Sequence, residues 1–174
     1  MIVNPKSTWH FGVEGKDDKA FVEHLVLKAG NTTDLASVSV NISTSFGQSA
    51  PAVVGLLVPV TADLRVAIVD KDRLHKSSKE SRNSTQLAKA NDISLVVLAP
   101  CLDAVLLAII GDTSTLNDSD CNYAKLKIGQ LLNPNYAPNL KLKNFFEQNI
   151  SIRKLNRARG YDSGLDQLLD IFNF

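Results

Sequence analysis

Phe11-Gly12-Val13-Glu14-Gly15-Lys16-Asp17-Asp18-Lys19-Ala20-Phe21 changes its hydrophobic period in mid-course. Up to Val13 the run is apolar and extended in character. Beyond Gly15, Asp17 or Asp18 can cap a helix, and Phe21 and Leu25 then fall on one helical face. A strand over residues 7–13 that passes through Glu-Gly into a helix ending near Lys28 is the opening of an α/β unit.

The rest of the chain extends that reading. Gly30, Asn31 and Asp34 make a turn. Residues 35–42 alternate apolar and polar positions, as a half-exposed strand does. Residues 46–58 suit a second helix with Pro51 in its first turn. Residues 64–69 are apolar and β-branched, the pattern of a buried central strand. Residues 71–82 read as a polar, basic loop, 84–90 as a short helix, 93–98 as another buried strand, and 101–110 as an apolar helix. Further helical patterns cover residues 117–132, 145–159 and 163–172; two prolines interrupt them at 133–139, and Gly160 interrupts them again. The expected fold class is α/β, a mostly parallel central sheet flanked by helices. Residues 1–112 form the core and 113–174 a helical C-terminal extension packed on it, one domain in all.

Composition narrows the function classes. With 174 residues, 44% hydrophobic and 21% charged, the chain can bury a substantial core. A net charge of +1 leaves any nucleic-acid affinity to a local basic surface. Two cysteines are too few for a disulfide framework, and Cys101, in an apolar stretch, is expected to be a buried free thiol. Residues 1–8 lack the apolar segment of a secretory leader, so the Asn-x-Ser/Thr triplets read as chance matches. Apolar runs 51–60 and 95–110 are too short or too interrupted to span a bilayer. The expectation is a cytoplasmic protein with no membrane partner.

Acids mark the expected site. Asp70 and Asp72 end the strand at residues 64–69, and side chains two apart on a strand face the same way. Glu14 leaves the first strand at the same carboxyl edge, where open α/β sheets bind ligands. Gly15 leaves room for a phosphate, and the helix after it would aim its N-terminal dipole there. Carboxylates gathered at strand ends suit a hard divalent cation and phosphate chemistry.

Glu14-Gly15-Lys16-Asp17-Asp18-Lys19 after one strand, with Asp70-Lys71-Asp72 after a later one, resembles the TOPRIM domain over roughly residues 7–110. That family is shared by topoisomerases, bacterial primases, OLD-family nucleases, small RNA maturases and RloB-like proteins. The resemblance implies that Glu14 is a general acid or base and a further metal residue, and that Asp70 and Asp72 hold Mg2+, with Mn2+ as its substitute. It makes Asp18 the supporting acid of the Glu-Gly-x-x-Asp segment. Ala99-Pro100-Cys101-Leu102-Asp103 is similar to the Pro-Cys-aromatic-Glu segment of RloB-like proteins, with Leu102 and Asp103 departing from that pattern. Asp103 is either a further metal ligand or the N-cap of its helix.

Around the acids, Gly15, Lys16, Lys71, Arg73, His75 and Lys76 are expected phosphate or nucleic-acid contacts. Lys79 and Arg82 extend that cluster. Arg153, Lys154, Arg157 and Arg159 read as a solvated helix face, His10 and His24 as structural, and Trp9 as core or strand surface. Aromatics do not interleave with basic residues, which argues against sequence-specific single-strand readout. The expected activity is a Mg2+-dependent nuclease cutting DNA or RNA. The alternatives are a non-catalytic or partner-activated subunit of a defence-type complex, controlled by an ATPase or other protein, and a phosphatase using the same carboxylates.

Overall fold

The computed structural model describes residues 7–30, 37–74, 78–116, 121–132 and 138–174. Its strands are β1 (Ser7–Val13), β2 (Val38–Thr44), β3 (Leu64–Asp70) and β4 (Ser94–Leu98). They form one sheet in the order β2-β1-β3-β4, with every neighbouring pair parallel. The chain leaves β1 for the β2 edge and then returns to the other side of β1 to lay down β3. The sheet therefore has its topological switch point between β1 and β3, and the carboxyl ends of those two strands diverge into a crevice.

Helices cover both faces. On one side α1 (Lys16–Gly30), α5 (Leu102–Ile110), α6 (Asn122–Leu131), α7 (Pro138–Asn149), α8 (Ile152–Arg157) and α9 (Ser163–Ile171) contribute to a core around Phe11, Val66, Ile68, Val96 and Leu98. On the other, α2 (Ala50–Leu57), α3 (Lys71–Leu74) and α4 (Ser78–Ala90) meet Ala67 and Val69. Alternate residues of β3 thus serve opposite faces, which is why its buried stretch, residues 66–69, is apolar without interruption. The C-terminal helices complete the first core. Phe172 stacks on Phe11 with ring centroids 5.5 Å apart, and Trp9 lies 6.1 Å from Phe172. No helix among the described residues is long and apolar enough to cross a membrane.

Several expectations change. The basic segment after β3 is helical where it is described: α3 follows Asp70 directly and α4 begins at Ser78. Buried Ser84 and Ala88, one turn apart, give α4 an inner face that its polar composition conceals. The pattern at 145–159 is two helices, α7 and α8, separated near Ser151, whose hydroxyl accepts the Lys154 amide as the N-cap of α8. Cys101 is not a free thiol: it is bonded to Cys121, with Cα atoms 6.2 Å apart. Their separation of 20 residues hid the pair, because only the packing of α6 on α5 brings them together.

Candidate metal and phosphate site

Glu14 follows β1 directly and is only 6% exposed. Its Oε1 accepts the backbone N–H of Asp70 at 3.0 Å, which ties the two central strands together at their carboxyl ends. Its Oε2 lies 3.5 Å from the Arg73 guanidinium on α3. Asp70 in turn accepts the Leu102 amide at 2.9 Å. An acid from β3 thereby serves an open amide at the start of α5, whose N-cap residue, Cys101, makes no side-chain cap bond. The Asp72 amide donates to the Pro100 carbonyl at 3.2 Å, fixing α3 against the β4–α5 turn.

Asp18 accepts the Gly15 amide at 2.9 Å. This is the reaching-back half of a capping box, so Asp18 supports the Glu-Gly turn from inside the helix rather than preceding it. A Cβ on Gly15 would sit 3.3 Å from that carboxylate. The glycine accordingly makes room for Asp18, a nearer need than the phosphate expected there.

Glu14, Gly15, Lys16, Asp17, Asp18, Asp70, Arg73, Leu102, Asp103 and Lys125, together with Gly47, line one cleft of about 370 Å3. Five of these are acids, and three, Lys16, Arg73 and Lys125, are bases. Burial is the leading cause that pushes the Glu14 carboxyl up to about 7; Asp18 and Asp72 add repulsion, while the Asp70 amide and Arg73 oppose it. Burial likewise raises Asp70 to about 8, with repulsion from Asp18 and Glu14 next. Asp103 is raised to about 6, again first by burial, against the pull of Lys125. Like charges crowded in a low-dielectric crevice raise one another, and a bound cation would relieve them.

The structure gathers Glu14, Gly15, Lys16, Asp18, Asp70, Arg73 and Asp103 as expected, but not the rest. Asp72 belongs to α3 instead of extending β3, so it does not share a strand face with Asp70 and does not line the cleft. It remains close enough to repel Glu14 and Asp70, and its Oδ1 is buried without a hydrogen-bond partner. Lys71 is exposed and outside the lining. His75 and Lys76 lie outside the described residues. Asp103 is not the N-cap of α5, which is Cys101; it stands in the first turn.

Lys125, Asp17 and Gly47 are additions. Lys125 comes from the helical extension, where no motif announced it. It reaches the cleft because α6 packs on α5 beside the Cys101–Cys121 bond. Other polar residues play the parts expected of them. His10 bonds the Ser43 hydroxyl at 2.8 Å and His24 the Ile150 carbonyl at 3.1 Å. Arg159, by contrast, departs from the solvated helix face expected of it: it lies beyond α8, half-buried, and pairs with Asp170 of α9 at 2.8 Å.

The donor set fits a hard cation in kind, since it consists of carboxylates with one orphaned oxygen on Asp72. It does not yet fit in position: among the described residues, no three acid, histidine or cysteine side chains converge closely enough to hold an ion. No family model, no curated protein and no solved structure matches the chain.

Proposed function

We propose that the chain is a metal-dependent phosphodiesterase of TOPRIM type acting on nucleic acid. The observation that carries this reading is the meeting of Glu14 and Asp70 at the switch point, where Glu14 Oε1 accepts the Asp70 backbone amide at 3.0 Å among further acids, and burial pushes the two carboxyls up to about 7 and about 8. Such mutual repulsion is a cost to the fold that a divalent cation offsets. Asp70 and Asp103, which line the cleft, are the residues that would hold Mg2+ or Mn2+, with Asp72 adding negative charge from outside the lining. When bound, the ion would supply polarisation of the phosphate and stabilisation of the displaced oxygen.

The remaining chemistry belongs to the chain. A carboxyl that titrates near neutrality is matched to proton transfer at physiological pH, so Glu14 serves as the general acid or base. Arg73, Lys16 and Lys125 place positive charge on the cleft wall, where a phosphodiester backbone would be held. A phosphate competing for Arg73 would release Glu14 from its ion pair.

That ion pair also favours a second reading. Arg73 against Glu14 partly neutralises the cleft from within, as expected of a subunit kept latent until a protein partner moves α3. One experiment separates the two. The purified chain is incubated with mixed DNA and RNA in Mg2+ or Mn2+, beside Asp70→Ala. Metal-dependent cutting lost in the variant is the expected result. No cutting, with metal binding still measurable by calorimetry, would replace it with the latent subunit. Neither cutting nor metal binding would overturn both.

A further inference from the structure

The turn between β2 and α2 carries an aromatic ring that the fold does not use. Phe46 is 80% exposed, more than any other large apolar side chain among the described residues. Its backbone is left-handed, with φ +55, and Gly47 follows at φ +80. A bulky residue in that region costs stability, and an exposed phenyl ring gains nothing from burial. Strain persists at such a position only when its surroundings over-determine it.

Here they do, and through Glu14. The Ser45 amide donates to the Val13 carbonyl at 2.9 Å, and the Ser45 hydroxyl to the Glu14 carbonyl at 3.3 Å. The Gly47 amide donates to the same Glu14 carbonyl at 2.7 Å. Both residues flanking Phe46 are therefore bonded to the end of β1, and Gly47 itself lines the acidic cleft. The backbone that carries the ring is thus tied to the residue proposed to move the proton, and the next residue, Gly47, lines a cleft with basic groups on its wall.

We infer that Phe46 is a stacking platform for an unpaired nucleobase next to the phosphodiester held in the cleft. The inference rests on the nucleic-acid reading above and adds what that reading lacks, a contact to the base. Every base has a π-face, so stacking on one ring is tolerant of sequence. A single exposed ring on a pinned backbone suits a single-stranded or locally opened substrate and leaves the choice of base open. The wide spacing of aromatics along the chain does not count against it, because the tertiary fold brings Phe46 next to the cleft-lining Gly47.

The test uses the full chain in Ca2+ and measures fluorescence anisotropy of labelled single-stranded oligothymidylate and oligouridylate, each beside an abasic strand of equal length. Phe46→Gly removes the ring and suits the left-handed backbone, so its melting temperature should stay level or rise. Its affinity for the base-containing strands should fall by about 5- to 150-fold, the range expected for one lost stacking contact. Affinity for the abasic strands should not change, and Phe46→Trp should bind like the parent chain. Equal binding of base-containing strands by parent and Phe46→Gly would overturn the inference while leaving the proposed activity standing. So would a parallel loss on abasic strands. A parent chain that neither binds nor cuts any strand would overturn the activity, and the platform with it.

Discussion

Asp162 and Asp70 both reach past the carboxyl end of a strand to take a backbone amide. Asp162 is 6% exposed; it accepts the Leu165 amide at 2.8 Å as the N-cap of α9 and the Ala99 amide, just after β4, at 3.0 Å. Both its oxygens are engaged, and of the causes acting on it only Asp166 is a neighbouring charge of like sign. Asp70 accepts the Leu102 amide and is crowded by Asp18, Glu14 and Asp72. The first arrangement is a strut that fastens the helical extension to the sheet. The second keeps its charges in conflict, and a fold that needed only a strut would have no use for the extra acids. The contrast shows that a buried carboxylate is read by its neighbours rather than by its burial.

The sharpest way to break this contrast is to neutralise one acid in each corner. Glu14→Gln should lower metal-dependent cleavage by about 10²- to 10⁴-fold, the usual span for a proton-transfer group, and Asp70→Asn should lower it by weakening the hold on the metal. The fold should survive, because a carboxamide oxygen can still accept the Asp70 or Leu102 amide. Steady-state cleavage rates beside circular dichroism would check this, and undiminished turnover in either variant would sink the assignment. Asp162→Ala should do the reverse. It leaves two amides without acceptors, at about 1–3 kcal/mol for each buried group, and should reduce urea stability with little effect on the per-molecule rate.

Gly164→Ala sharpens the picture of that strut. A Cβ there would lie 2.2 Å from the Val97 carbonyl oxygen, and backbone cannot swing aside as a flexible side chain can. A loss of about 1–3 kcal/mol in chemical denaturation is expected, with the usual cost of overpacking as its measure. A stability equal to that of the parent would mean that α9 docks less closely on β4.

The last effect is a slope. Glu14 and Asp70 titrate higher in the folded chain than in the unfolded one, from ordinary values of 4.5 and 3.8 up to about 7 and about 8. Between those limits the folded state binds more protons, so metal-free stability should fall as pH rises from about 4 to about 8. Each group can contribute at most about 1.4 kcal/mol per pH unit. Asp70→Asn should flatten the slope, and Mg2+ should raise the melting temperature more at pH 8 than at pH 5. A parent chain whose metal-free stability climbs across that interval would contradict the crowding at the switch point.

Much of this was legible in the residues themselves. The boundaries of β1 agree with the reading of residues 7–13, and Pro51 does sit in the first turn of α2. The period of two or of 3.6 is a local property, written in consecutive residues. Glu14 and Asp70 were recognisable because each follows such a period directly. Asp72 was misplaced because the strand was assumed to continue, whereas α3 starts at Lys71 and turns its side chains through a helical angle. The inner face of α4 was missed because serine and alanine, rather than larger apolar residues, fill it.

The sequence by itself determined the alternation of strands with helices, the buried character of β3 and β4, and the acids that leave two strands at their carboxyl ends. Only the tertiary structure decided that β1 and β3 are neighbours at a switch point, that Cys101 meets Cys121, that Lys125 enters the cleft and that Gly47, next to Phe46, lines it. The division has a physical cause. Hydrophobic period and capping act between residues a few positions apart, whereas strand order and helix docking are set by how several apolar faces are buried together. No one segment carries that information.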